Sequence, residues 1–286
     1  GGADSYYFAG NSKPFRAVAQ LAENKFGQLD IILQKTIGLK LRGKKILLYG
    51  DSISSSDYPW YKDSLEAMTG ATVQLGGFSG YSTASLAENT QLQRIFDADA
   101  DLIICLVGGN DTGESGSVGT FGAIKDEPTV TETNISSNYN GTKFIQAVSH
   151  ITRKVINYYY DIRTRANLTG SETEAEKQAK IDAVKKPHFI FCTSLPQKRD
   201  NLNSEFSKSA NWIRKRNAVV EVCNRYQVHC VDLLNLWGVD FFKEPFWVSP
   251  TNMTNNKGIY TMDGLHPNKY GYERLSKIIC GSIITE

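Results

Sequence analysis

Lys44-Lys45-Ile46-Leu47-Leu48-Tyr49-Gly50-Asp51-Ser52-Ile53 is the stretch on which the reading of this chain turns. Four apolar residues stand in unbroken succession, bounded by lysines on one side and Gly50-Asp51 on the other. Such a run suits a strand covered on both faces. Gly, Asp and Ser are then the residue types that a strand-to-helix turn uses. In a doubly wound sheet the ligand crevice opens at the carboxyl ends of the strands, so a serine at position 52 is well placed to act. Taken alone, the tripeptide is equally well an ordinary turn.

Working outward, the same kind of run recurs. Strands are expected at Lys45–Tyr49, Ala71–Leu75, Leu102–Val107, Phe189–Thr193 and Val228–Val231. Longer helical patterns separate them, which is the signature of a parallel sheet wrapped by helices. Phe144, Val148, Ile151, Val155, Tyr158 and Ile162 recur at steps of three and four and predict one long amphipathic helix. Further helices are expected over about Glu205–Tyr226 and Asn268–Ile284, the latter with Asn268 as N-cap behind Pro267. Pro14–Leu39 reads as an extra helix ahead of the first strand. Thr112–Thr142 is rich in Gly, Ser, Thr and Asn and reads as a long loop, of a length that is usually functional or mobile. Ser171–Lys186 reads as an exposed helical extension opened by a Ser171/Glu174 capping box. With no internal repeat and no linker, the chain is expected to be a single domain, 1–286, with an N-terminal extension over 1–43 and additions at 112–142 and 171–186.

The composition sets bounds. The 286 residues are 41% hydrophobic, 11% aromatic and 22% charged, as in ordinary globular proteins and unlike collagen, coiled coils or disordered chains. Thirty-two basic against thirty acidic residues leave +2, so no global field points to nucleic acid or an anionic surface. The basic clusters Lys40-Leu41-Arg42-Gly43-Lys44-Lys45 and Arg214-Lys215-Arg216 read as solvated surface. Leu102–Val107 is six apolar residues, far short of the roughly twenty that span a bilayer. Five cysteines without a C-x-x-C pair fit neither a disulfide framework nor a zinc cluster. The chain begins Gly1-Gly2-Ala3-Asp4, with no initiator Met, which suits a secreted or extracytoplasmic protein whose leader has been removed. The sequons at Asn134, Asn140, Asn167 and Asn252 would matter only in a eukaryotic secretory host.

Three further short motifs carry chemistry. Gly77-Phe78-Ser79-Gly80 follows the second strand, and at Gly80 the absence of a Cβ would let a backbone N–H approach a ligand closely. Gly108-Gly109-Asn110-Asp111 follows the third strand, and the Asn110 amide can donate to a developing oxyanion. In isolation that tetrapeptide is again a turn. Asp263-Gly264-Leu265-His266 precedes the final helix; a base for a serine needs an imidazole held by a third group, and an Asp three residues before a His can hold it. Of the four histidines, His150 falls in a helix and His188 and His229 precede strands, at the opposite edge of the sheet. His266 is therefore the base candidate.

Together these motifs resemble those of the SGNH, or GDSL, hydrolases, a family of esterases and lipases. GDSI at 50–53 is similar to the nucleophile motif, FSG at 78–80 to the glycine motif, GGND at 108–111 to the Gly-x-Asn-Asp motif, and DGLHPN at 263–268 to the terminal Asp-x-x-His motif. The resemblance spans about Lys44 to Ile284. It implies a flavodoxin-like three-layer α/β/α fold with a five-stranded parallel sheet, Ser52 as nucleophile, His266 as base and Asp263 as its orienter. Gly80 and Asn110 would form the oxyanion hole with the Ser52 backbone N–H. Leu75 stands where family members often carry Asn, which leaves Gly76 and Gly77 beside Gly80 as glycine-motif candidates. The implied chemistry is two-step acyl transfer through an acyl-Ser52 intermediate, with no metal or cofactor. Tyr58, Trp60, Tyr81, Phe246 and Trp247 lie near the motifs in sequence. Aromatics beside a polar cleft suit a sugar ring, so the expected substrate is a small-molecule or glycan ester: the enzyme would be a carbohydrate O-acetyl esterase or short-chain esterase. Each of these aromatics suits core packing as well. A lipase or lysophospholipase, an acyltransferase with the same residues, and a non-catalytic binding module remain the alternatives; oligomeric state is open.

Overall fold

Strand β1, Lys45–Gly50, is where the chain's apolar logic is plainest: Ile46, Leu47, Leu48 and Tyr49 are each at most 1% exposed. Burying side chains of this size contributes on the order of 1.5–3 kcal/mol apiece, and a strand can bury them all only if both faces of its sheet are covered. The computed structural model describes residues 41–111, 143–162, 168–183, 185–195, 205–237, 260–263 and 265–284. The expected helix over 14–39, the 112–142 loop, Asn134, Asn140, Asn167 and Asn252, and Phe246 and Trp247 lie outside the described residues.

After β1 come a single 3-10 turn at Ser52–Ser54, α1 (Trp60–Thr69), β2 (Thr72–Gly77), the one-turn α2 (Thr83–Leu86), α3 (Asn89–Asp97) and β3 (Leu102–Leu106). Then follow α4 (Phe144–Ile156), α5 (Glu174–Ala183), β4 (His188–Cys192), α6 (Glu205–Tyr226), β5 (His229–Val231), the short α7 (Leu233–Leu236) and α8 (Lys269–Ile284). The five expected strands are present to within a residue or two at each end. They form one parallel sheet in the order β2-β1-β3-β4-β5. The chain leaves β1 for β2 on one side and returns to β3 on the other. This makes the carboxyl ends of β1 and β3 a topological switch point, the place where such sheets bind ligands. Register sets Gly50 beside Leu106, so the two motifs that follow these strands start side by side.

Alternate side chains feed two cores. Leu47, Tyr49, Ile103, Cys105 and Phe191 pack with Leu92 and Ile95 of α3, Val148 and Ile151 of α4, and Val219 and Val222 of α6. On the other face Ile46, Leu48, Ile104, Leu106 and Ile190 pack with Tyr61 and Leu65 of α1 and Tyr272, Leu275 and Ile279 of α8. The result is three layers, α/β/α. Among the described residues no helix is long and apolar enough to cross a membrane.

Three local expectations are corrected. The helix from Phe144 does not run regularly to Ile162: it widens into a π-helical turn at Asn157–Ile162. There Tyr158 stacks on Phe96 at 4.0 Å and Tyr159 donates its hydroxyl to the Ile95 carbonyl at 3.3 Å. Both adjacent tyrosines thus meet α3, and a turn with an extra residue accommodates that where a 3.6-residue turn would splay them apart. The capping box of α5 is Thr173 with Glu176 instead of Ser171 with Glu174: the Thr173 N–H donates to Glu176 Oε2 at 2.8 Å, and the Glu176 N–H to Thr173 Oγ1 at 3.4 Å. Glu172 is drawn the other way, accepting from the Thr169 and Gly170 backbone. The helix itself is as exposed as expected. Finally, Arg214-Lys215-Arg216 is not uniformly solvated: Lys215 is 3% exposed, and Arg216 pairs with Asp232 at 2.5 Å.

Candidate active site

The turn after β1 is built to present a side chain. A Cβ on Gly50 would stand 1.9 Å from the Leu106 carbonyl oxygen, so only glycine lets the end of β1 lie against β3 there. Asp51 caps the 3-10 turn, its Oδ1 accepting from the Ile53 N–H at 3.1 Å. Its Oδ2 accepts from the Gly109 N–H at 3.1 Å, which ties the first motif to the third.

Ser52 Oγ lies 2.9 Å from His266 Nε2. His266 Nδ1 lies 2.7 Å from Asp263 Oδ2, while Asp263 Oδ1 accepts from the backbone N–H groups of Leu265 (2.9 Å) and His266 (2.7 Å). A carboxylate facing Nδ1 accepts a hydrogen bond from a proton carried there, leaving Nε2 to accept from the serine hydroxyl. Burial acts to raise the Asp263 carboxyl, but donation from the His266 ring and from the two backbone N–H groups outweighs it and holds the pKa below its ordinary value. The loop is closed by backbone bonds, Met262 N–H to the His266 carbonyl and Asn268 N–H to the Tyr260 carbonyl, both 2.9 Å. Asn268 Oδ1 accepts from Gly271 N–H at 3.0 Å, as expected of an N-cap. The other histidines stand away: His150 is buried in α4, and His188 and His229 begin β4 and β5 at the amino edge.

Asn110 follows β3, its Nδ2 donating to the Tyr81 carbonyl at 3.1 Å. One amide N–H is thereby fixed and the plane of the other with it. Gly80 lies on the exposed turn after β2 at φ +81°, with open space where a Cβ would stand. Gly76 and Gly77 belong to β2 and serve packing: a Cβ on Gly77 would stand 2.4 Å from the Asp51 carbonyl oxygen and 2.5 Å from the Ser55 nitrogen. The serine, histidine and aspartate from opposite ends of the chain therefore form a continuous relay, with Asn110 on the neighbouring strand end.

A model of the family described as GDSL-like Lipase/Acylhydrolase matches residues 48–274. The chain belongs to the GDSL-like lipase/acylhydrolase family. It is accordingly an enzyme of the esterase and acylhydrolase class. Among solved structures, a Lactobacillus plantarum protein is similar at 18% identity, covering 86% of this chain and 99% of its own, with a TM-score of 0.54; this likeness is one of fold. The lipase/acylhydrolase of Enterococcus faecalis is 17% identical, over 84% of this chain and 95% of its own, at a TM-score of 0.46. A catalytic mutant of an acetylxylan esterase from Geobacillus stearothermophilus is 13% identical, over 85% and 95%, at 0.48. A comparison with curated proteins found no match.

In this GDSL hydrolase the side chains around the relay stand near the motifs in sequence, but their contacts carry no signal there. The Tyr58 ring stacks on the His266 imidazole, with centroids 4.6 Å apart and planes 30° from parallel. By sequence it suits a cleft aromatic and core packing equally, and neither reading points to the imidazole. Trp60, another of that set, leans on Tyr272 instead of standing free. Tyr81 keeps 38% of its surface exposed beside Asn110. Asp51 is fully enclosed, and burial pushes its carboxyl up to about 6 against the opposing pull of the Ile53 and Gly109 N–H groups. At the rim, Ser79 and Ser55 hydroxyls donate to the exposed Asp57 carboxylate and lower its pKa. Among the described residues no group of three or more His, Cys, Asp or Glu side chains could hold a metal ion.

Proposed function

We propose that this enzyme is a serine esterase in which Ser52 is the nucleophile, His266 the general base and Asp263 its orienter, and that it removes short acyl groups, acetyl above all, from sugars. The observation that carries the reaction is the continuous hydrogen-bonded relay from Ser52 Oγ through His266 to Asp263. His266 takes the Ser52 proton as the hydroxyl attacks the ester carbonyl; the imidazolium then gives that proton to the leaving alcohol, and water hydrolyses the acyl-serine by the same route. Asn110 donates to the tetrahedral oxyanion, with the backbone N–H groups of Ser52 and Gly80 as its companions. All of this takes place within one domain. For the sugar, the support is Tyr81, an exposed aromatic face whose own carbonyl holds the Asn110 amide, with hydroxyls and the Asp57 carboxylate along the rim. A pyranose ring stacks on such a face and hydrogen-bonds to such a rim.

The test is a turnover screen of acetylated sugars and p-nitrophenyl esters of increasing chain length, with Ser52→Ala as control. Acetyl esters are expected to be preferred and Ser52→Ala to lose essentially all turnover, on the order of 10⁴-fold or more. Wild-type rates in Ser52→Ala would sink the catalytic assignment, and a preference for long acyl chains would sink the sugar-ester reading.

A further inference from the structure

We propose that Lys215 of α6 is a positioning residue that holds the oxyanion donor Asn110 in place, an inference that rests on the role given to Asn110 above. Lys215 is separated from the Gly108–Asp111 loop by more than a hundred residues, yet its Nζ donates to the Gly108 carbonyl at 3.0 Å and to the Asp111 carbonyl at 2.6 Å. These are the carbonyls on either side of Gly109-Asn110, so one ammonium group clamps both ends of the segment that carries the donor.

Burying a lysine is costly unless its charge is satisfied. Here the side chain is 3% exposed, and two main-chain carbonyls together with the neighbouring Asp111 carboxylate compensate it. The loop is tied from its other sides as well. Gly109 N–H reaches Asp51 Oδ2, and the Asp111 carboxylate accepts from the Thr83 N–H and, at 2.7 Å, from the Thr83 hydroxyl. Gly108 sits at φ +104°, a conformation that favours glycine, and a residue without a Cβ has the widest choice of backbone conformations, so a hydrogen bond to its carbonyl narrows that choice. Because Tyr81 already takes one Asn110 N–H, the direction of the second follows the backbone of residues 108 to 111. Donors must sit within about 0.5 Å of their productive place to act on a transition state. Lys215 sets that place without touching substrate.

The experiment is a double-mutant cycle on p-nitrophenyl acetate with Lys215→Met, Asn110→Ala and the two combined, each verified as folded by near-ultraviolet circular dichroism. Loss of one oxyanion donor costs about a hundred- to a thousandfold in kcat, and Asn110→Ala is expected in that range. Lys215→Met is expected to lower kcat by about ten- to a hundredfold with KM within about twofold, part of that same loss. In the Asn110→Ala background its further effect should shrink to about twofold or less, because residues acting through one another are not additive. If Lys215→Met does not fold, Lys215→Gln, which keeps an N–H donor on a side chain one bond shorter, goes through the same cycle with the same expected coupling to Asn110→Ala. Losses that multiply, or a Lys215 variant with wild-type kcat, overturn the proposal while an inactive Ser52→Ala leaves the functional reading standing. Wild-type turnover in Ser52→Ala overturns both.

Discussion

Tyr58 lies flat against His266, and the stack continues behind it to Tyr272 and from there to Tyr61. When the serine proton moves to the imidazole, the ring becomes a cation held against an aromatic face. Such contacts are worth about 0.5–2 kcal/mol, or roughly a two- to thirtyfold change in rate. The Tyr58→Phe variant keeps that face and is expected to retain near wild-type kcat, whereas Tyr58→Ala should lose kcat within that two- to thirtyfold range. Steady-state rates of the three proteins on one acetyl ester check this, and equal rates for all three would show that the stack is idle. The tyrosine was visible in the sequence as an aromatic near the motif. Its partner was not, since 208 positions separate the two rings and no local pattern encodes that contact.

At the level of elements, the end of β2 decides whether the nucleophile turn can sit where it does. Gly77 brings the strand so close that the turn at Ser52–Ser54 rests on bare backbone, a Cβ there landing 2.4 Å from the Asp51 carbonyl oxygen and the Ser54 carbonyl carbon. Neither neighbour is the free end of a side chain, so neither yields cheaply. Gly77→Ala is expected to cost about 1–3 kcal/mol of stability, the usual range for overpacking, and to lower kcat at least tenfold because Ser52 is displaced from His266. Urea midpoints and kcat of this variant test both halves; a loss of stability with unchanged kcat would mean that the turn tolerates the shift. The strands themselves were legible because short runs rich in apolar and β-branched residues, bounded by Gly, Asp, Lys or other polar residues, alternate with longer helical patterns. The π-helical turn after α4 was not, because it is chosen by what α3 offers the two tyrosines; the cap of α5 was ambiguous, because Ser171-x-x-Glu174 and Thr173-x-x-Glu176 both fit a capping box and the engagement of Glu172 with the Thr169 and Gly170 backbone goes with the second.

For the molecule as a whole, the buried Asp51 couples stability to pH. Its carboxyl is raised from 3.8 to about 6 in the fold, by burial first of all. Between these values the folded state holds a proton that the unfolded chain has released, so the contribution to stability is largest below about pH 4 and falls as pH rises through 6. The isosteric Asp51→Asn carries no such charge. The wild-type advantage over the variant, read from urea midpoints, should therefore decrease between pH 4 and 6 and level off above; a difference that is flat across that window would place the titration elsewhere.

What the order of residues determined without help is everything that rests on short-range geometry. Apolar runs make strands, three- and four-residue recurrences make helices, and Gly-Asp-Ser, Gly-Gly-Asn-Asp and Asp-x-x-His supply turns with chemistry at their tips. Even the convergence of the motifs at 50–53, 77–80 and 108–111 on one rim follows, because each ends a strand and a parallel sheet delivers all its carboxyl ends to the same side; Asp-x-x-His, which precedes the last helix, has no such guarantee. Only the tertiary structure decided that Ser52 and His266, 214 positions apart, stand 2.9 Å from one another, and that the middle residue of Arg214-Lys215-Arg216 turns inward to the oxyanion loop while its neighbours meet solvent or Asp232. A helix presents each residue to a direction fixed by its rotation against the sheet, and that rotation is set by packing across the whole core, which no window of local sequence contains.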